Sequence, residues 1–479
     1  MNSRSQLRRS VSRLGFFALA FGSMIGVGWV TALGSWFGQA GPGGAILAFL
    51  TGGIVMGVVG ICYAELTPML PVAGGEVAYS YAAAGTGAAF VVGWFLACGY
   101  LSVSVFEAVS IGRVASFMFP AIDAWPLYEA AGDTVFASHI ALAAAGTGLI
   151  TWINYRGVEA ASRLQVVLTA VFIALTLTLV GAGLLLGSVR NVDPWFNTSS
   201  TGIEWGGVLA VFVTAPFWFV GFDTIPQAAE EAKSKVAPRS LGRLILAAIF
   251  AAALFYALLI LSVAMTGPWR DLADADLATA VAFERAFSTP WLARLVLFNA
   301  LIGLVTSWNG FFLAGTRVLF ALGRGGVLPR SFGRSHPSHA TPTTAVLFSG
   351  AFTFAGSLLG RGAIAPFVNV GSLCVATAFL GVSISAIQLR RRRPEWPRPY
   401  RPPLGLLFPV LALVGSAAIL AAMIVPQSPA ALSWPLEWGL LLVVVLSGGV
   451  TWRAAANRRQ ALSPSERDYL ILGRLAVKK

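Results

Sequence analysis

Charge is scarce in this sequence: only 11% of its 479 residues are Asp, Glu, Lys or Arg, against about a quarter in an average soluble domain. Histidine and cysteine are rarer still, with three of each. Cys62, Cys98 and Cys374 all fall within apolar runs, which argues against a disulfide framework and against a metal cluster. His336 and His339 share a basic loop, and His139 stands apart. An enzyme's convergent nucleophile, acid, base or metal ligands are therefore not offered. A Walker-type phosphate loop is also missing, which disfavours ATP-driven pumping. Nothing suggests the filter of a selective channel. The first apolar run is too long and too glycine-interrupted for a cleavable signal peptide, and it has no small-residue cleavage pattern.

Apolar residues fill the space that charge leaves. They make up 57% of the chain, and the mean hydropathy is +0.76. A water-soluble fold could not hide so much apolar surface. Spans are expected near 15–39, 43–69, 84–117, 135–154, 164–187, 206–231, 241–266, 291–321, 342–359, 364–389, 404–425 and 433–452. Most reach the roughly 20 residues that cross a bilayer core. The connections are short, so the prediction is an all-α polytopic membrane protein of about twelve helices, forming one membrane domain.

The basic residues set an orientation. With the N-terminus cytoplasmic, 27 of the 33 lysines and arginines fall on the inner side and six on the outer side. The outer loops instead hold acids such as Asp123, Asp133, Asp271, Asp274 and Asp276. Both termini are expected in the cytoplasm of a cell-membrane protein. The +13 net charge then reflects the inner loops and a bilayer partner, not a nucleic acid.

Two spans carry breaks. Span 1 contains Gly22-Ser23-Met24-Ile25-Gly26-Val27-Gly28, and each glycine weakens a helix by roughly 1 kcal/mol relative to Ala. Span 6 contains Phe217-Trp218-Phe219-Val220-Gly221-Phe222-Asp223-Thr224-Ile225-Pro226. Here Gly221 permits a break, Asp223 or Thr224 is expected to cap a new half-helix, and Pro226 falls in its first turn. Such segments at matching positions in two halves point to an inverted-repeat transporter.

These residues resemble a known family. Ser23 to Gly28 is similar to the unwound-helix signature of the amino acid–polyamine–organocation (APC) superfamily, and the chain resembles a bacterial amino acid permease of it. Ala64-Glu65-Leu66 through Pro71-Val72-Ala73-Gly74-Gly75-Glu76 resembles its second signature. Phe219 to Asp223 with Ala229-Glu230-Glu231 resembles its sixth-span signature, and Arg317-Val318-Leu319-Phe320-Ala321 to Leu328-Pro329 the end of its eighth. The resemblance covers nearly the whole chain. It implies a five-plus-five inverted repeat of the LeuT type, with residues 15–187 and 206–389 as the repeats. Residues 404–452 would be peripheral spans 11 and 12, and 1–14 and 453–479 cytoplasmic tails. It also implies alternating-access transport of amino acids across the membrane.

The chemistry of a broken helix supports a zwitterionic substrate. A half-helix N-terminus offers N–H groups and partial positive charge, and a half-helix C-terminus offers carbonyls. Following the family pattern, the substrate carboxylate is placed on amides near Gly26, Val27 and Gly28. The ammonium is placed on carbonyls near Met24, Phe217 and Val220, and Ser23, Ile25 and Gly221 complete the substrate-binding candidates. The side chain would face Ala97, Cys98 and Ser102 of span 3, with Phe217 or Trp218 as a lid. Glu107, nine residues beyond Cys98, is expected about 14 Å further out, in an outer vestibule. Glu65, Glu76, Glu230 and Glu231 are expected to cap helices or pair with the basic inner loops.

Coupling is predicted from what span 5 lacks. Some proton-coupled relatives carry a lysine there, whereas this chain's only lysines are Lys233, Lys235, Lys478 and Lys479. The register suggests Phe172 at that position. The coupling candidates are Glu107 and Asp223 for a proton, and Thr306, Ser307 and Asn309 for sodium. Proton symport is the preferred reading, with exchange open. A carrier of amines such as ethanolamine or a polyamine is the alternative, and a membrane receptor or enzyme a remote one. No cofactor and no metal is predicted.

Overall fold

A computed structural model describes residues 4–473 except 131, 201, 276 and 429, so Asp276, Lys478 and Lys479 lie outside the described residues. Among these residues, nine helices are long and apolar enough to cross a membrane. The other three expected spans are also helices, each short of that measure for a visible reason. Ala137–Arg156 is diluted by His139, Asn154 and Arg156. Trp205–Trp218 is cut off by its break. Thr343–Ser357 has 15 residues. The chain is a multi-pass α-helical membrane protein.

Spans 1 and 2 run together with a single interruption. The helix Leu33–Met69 contains Gly41 at φ 71° and ψ 169°, followed by Pro42. A β-carbon at Gly41 would lie 2.9 Å from the Asn197 amide nitrogen. Glycine thus serves both the left-handed turn and the close loop. Residues 33–40 complete span 1, and span 2 begins beyond.

The helices Thr86–Met118 (span 3) and Pro290–Arg324 (span 8) are largely buried, whereas Leu407–Ile424 and Leu436–Ala454 (spans 11 and 12) are mostly exposed. Leu185, Leu186 and Val450 also stand exposed on the outside of the bundle, as lipid-facing side chains do. Backbones approach closely where the sequence is small. Span 8 meets span 1 at Gly310, where a β-carbon would fall 1.9 Å from the Ser23 hydroxyl oxygen. Small residues give membrane helices this contact. Two short hairpins close the end opposite the termini, Pro126–Ala130 with Asp133–Phe136 and Thr198–Ser199 with Gly202–Ile203.

Candidate functional site at two helix breaks

Span 1 stops at Met24 and restarts at Gly28–Thr31. Ile25 leaves helical geometry at φ −105° and ψ 81°. The amides of Gly26, Val27 and Gly28 donate to no other described backbone group. Span 6 stops at Trp218 and restarts at Thr224–Gln227. Gly221 sits between at φ 132°, and a β-carbon there would be 2.7 Å from the Met24 nitrogen. The two breaks therefore cross backbone to backbone.

A cavity of about 40 Å³ lies between them, room for a few waters at the 10–15 Å³ that one needs. Span 1 contributes Ser23, Met24, Gly26, Val27 and Gly28, and span 6 contributes Phe217, Trp218 and Val220. Val103, Phe106 and Glu107 line it from span 3, and Ser307 and Phe311 from span 8. Glu107 is 1% exposed, and its Oε2 has no hydrogen-bond partner. Its Oε1 is 2.7 Å from where a Gly26 β-carbon would be, with the Ser307 hydroxyl at 3.2 Å. Trp218 covers Gly28. A second cavity of about 390 Å³ shares Phe217, Trp218 and Val220, and is otherwise walled by further span-6 residues such as Thr214, by span-10 and span-11 residues such as Val375, Ala376 and Ile419, and by Ala430, Ala431 and Ser433.

Several expectations need correction. Glu107 does not occupy an outer vestibule; it lines the central cavity itself. Ala97, Cys98 and Ser102 do not line this cavity. Cys98 packs toward Val370 and Cys374 of span 10, and Ser102 donates to the Cys98 carbonyl. Ile25 is fully buried outside the lining. Neither Asp223 nor Thr224 caps the half-helix by its side chain. Asp223 instead accepts from the Gly221 amide at 2.8 Å and from the Tyr100 hydroxyl at 2.7 Å, and Thr224 donates back to the Gly221 carbonyl.

The proposed sodium oxygens separate. Ser307 reaches the cavity, but Thr306 bonds its own helix at Gly303. Asn309 is held by Asn154 at 3.0 Å and Gln165 at 2.7 Å. Phe172 packs edge-on to Trp29. The span-5 residue that matters at this junction is Gln165. Its amide donates to the Ala18 carbonyl at 3.2 Å and the Thr306 carbonyl at 3.0 Å.

Sequence reasoning also missed Tyr256 of span 7, whose hydroxyl reaches the Met24 carbonyl at 3.3 Å and the Trp218 carbonyl at 3.5 Å. One side chain thus serves both broken helix ends. Nothing in an apolar helix marks such a tyrosine as different from a packing ring.

The end of the bundle that carries the termini is locked by ion pairs. Arg317 and Glu231, both fully buried, meet at 2.9 Å. Glu230 is held by Arg324 at 2.8 Å, by Arg4 at 3.0 Å and by the Ala73 amide at 3.0 Å. Glu65 pairs with Arg390 and Arg398. Pairing with the basic segments thus holds for Glu65, Glu230 and Glu231, and not for Glu76, which accepts from Gln227 instead.

Two facing helix breaks around a small cavity, in a multi-pass bundle, are the architecture of a membrane transport protein. The chain belongs to the amino acid permease family, whose profile matches residues 11–447. It is 28% identical over 427 residues to the branched-chain amino acid permease BcaP of Bacillus subtilis, covering 86% of this chain and 88% of that one. It is 29% identical over 418 residues to a methylthioribose transporter of the same organism, covering 85% and 86%. Similarity to the amino-acid permease RocE, also from Bacillus subtilis, is 24% over 479 residues, covering 96% and 98%.

Proposed function

We propose that this protein carries a neutral amino acid with an apolar side chain across the cell membrane by alternating access, coupled to protons, with both termini in the cytoplasm. The observation that carries the reading is the central cavity, with unbonded amides on one wall and the Glu107 carboxyl on another. A substrate carboxylate suits the amides, which gather at the restart of span 1. The ammonium suits Glu107 and the carbonyls of the span-6 break. A side chain directed past Phe217 meets the apolar walls of the larger cavity. The similarity to BcaP fits an aliphatic side chain. A five-plus-five repeat fits the paired breaks in spans 1 and 6.

The cavity in this state is too small for an amino acid, so loading requires Trp218 and Phe217 to move. On this reading the small cavity fits a closed state of an alternating cycle.

Thermal stability of the purified protein tests the reading, since a ligand stabilises by mass action. Leucine should raise the melting temperature, leucinamide and isoamylamine should not, and Glu107→Gln should weaken the leucine shift. Stabilisation by the amines alone would favour the amine carrier, for which the unpartnered Glu107 oxygen speaks. Stabilisation by methylthioribose alone would remove the zwitterion reading.

A further inference from the structure

Beneath the central cavity, toward the end that carries the termini, lies a second group of buried polar side chains. It joins Glu76, on the helix Gly75–Ala84 that follows span 2, to Asp223 at the span-6 break. Glu76, Asp223, Gln227 and Tyr100 are all fully buried. Gln227 Nε2 donates to Glu76 Oε2, and at 3.2 Å to the Asp223 carbonyl. Tyr100 ties the other side to Asp223 Oδ2 at 2.7 Å.

Neither acid has a cationic partner among the described residues. The arginines nearby are already committed: Arg317 to Glu231, Arg324 and Arg4 to Glu230, Arg390 and Arg398 to Glu65. The remaining titratable neighbours are phenols, Tyr63 and Tyr79 beside Glu76, and Tyr79 donates to Thr67. Two ionised carboxyls without a counter-charge are not sustainable at this depth.

Hydrogen bonding separates the two acids. Both Asp223 oxygens accept, one from the Gly221 amide and one from the Tyr100 hydroxyl. Those donors favour the carboxylate. Glu76 takes a close hydrogen bond on Oε2 alone, with the Tyr63 hydroxyl a looser neighbour. Its Oε1 is buried with no partner, as are Gln227 Oε1 and the Tyr63 hydroxyl. A hydrogen on Oε1 turns an orphaned acceptor into a donor for this group.

We propose that Glu76 and Asp223 form a proton-binding pair, with the proton on Glu76 while the terminal end of the bundle is closed, and that Glu76 releases it to water when that end opens. The step is a simple dissociation: the Glu76 O–H bond breaks, water takes the proton, and the carboxylate stays. Release is tied to opening because the span-6 segment that carries Asp223 and Gln227 also carries Glu230 and Glu231 of the lock. Burial first, and then the Asp223 charge, pushes the Glu76 carboxyl up to about 8 from an ordinary 4.5. The closed state is therefore fully favoured by this group below about 4.5 and loses that contribution as the pH rises through about 8. The release role rests on the transport reading above; the proton site does not.

Infrared difference spectroscopy of the purified protein, wild type minus Glu76→Gln, reads the proton directly. The expected result is a protonated-carboxyl band at neutral pH that disappears as the pH is raised through about 8 and is restored by Glu76→Asp. No band in that difference would overturn the proposal. If Glu76→Gln fails to fold, Tyr100→Phe, which removes only the bridging hydroxyl, should shift the band, and an unchanged band would equally overturn it. Leucine counterflow in liposomes tests release. Wild-type rate should fall as the pH on the terminal side rises through this window, and the Glu76→Gln profile should be flat. A flat profile in the wild type, or identical profiles, would remove the release role. Absence of counterflow at any pH, with the infrared band present, would fail the amino acid reading and leave the proton site standing.

Discussion

Trp218 lies directly on Gly28: a β-carbon at residue 28 would fall 1.9 Å from the indole Cζ3. The last helical residue before one break thus closes over the first helical residue after the other. The glycine has two uses here. It permits the restart of span 1, and it leaves room for the closing ring.

That contact gives the first prediction. Gly28→Ala should hold Trp218 off its closed position and reduce leucine uptake by at least about tenfold, a barrier or population change of about 1.4 kcal/mol. Because the obstacle is the indole, Trp218→Ala in the Gly28→Ala background should recover part of the loss. A double-mutant cycle in liposome uptake measures this coupling. Strict additivity would mean the two side chains do not act on one another during transport.

The breaks were legible because they are written in backbone chemistry. Glycines at 22, 26 and 28, and Gly221 ahead of Pro226, state where a helix cannot continue. Register within an apolar helix is much less legible. Span 3 presents small and polar residues on more than one face, and Cys98 and Ser102 were expected at the site where Val103 and Phe106 stand. Cys98 and Ser102 turned out to face span 10. A shift of a few positions along the helix decides whether Glu107 is at the site or beyond it. Buried partners such as Tyr256, Gln165 and Gln227 were invisible for another reason: their importance lies in the carbonyl or carboxyl they meet, and that partner is distant in sequence.

Gln165 leads to a second prediction. Its amide takes the Ala18 and Thr306 carbonyls that could otherwise help to ligate a cation between spans 1 and 8. Leucine uptake should therefore proceed unchanged when sodium is replaced by choline. Gln165→Ala frees both carbonyls and should destabilise the protein by roughly 1 kcal/mol for each lost bond. A sodium-dependent rise in melting temperature appearing only in Gln165→Ala would show that the amide substitutes for the ion. Sodium dependence in the wild type would show that a cation binds elsewhere.

Membrane sidedness is the third. Ser200 and Ser465 are exposed at opposite ends of the bundle, and Cys62 and Cys374 are buried. In intact cells, an impermeant maleimide should label Ser200→Cys and leave Ser465→Cys unmodified until the membrane is opened. The reverse pattern would invert the orientation assigned from the arginine distribution.

The fourth concerns the lock on the terminal end. Glu230 joins Arg4 of the N-terminal segment to Arg324 of span 8, and the adjacent Glu231 carbonyl accepts from the Ser10 and Val11 amides at 2.9 Å each. Glu230→Gln leaves two buried guanidinium groups without their counter-charge, which typically costs about 3–5 kcal/mol. Acidification protonates the wild-type carboxyl and removes the same ion pairs. The melting temperature of Glu230→Gln should lie several degrees below wild type at pH 7 and converge on it as the medium is acidified below pH 4. The same substitution should favour opening of the terminal end. A cysteine placed at Ala73, beside Glu230, should then react faster in the Glu230→Gln background than alone. A constant stability deficit at all pH values, with unchanged reactivity at residue 73, would mean that Glu230 acts through packing and does not hold the end closed.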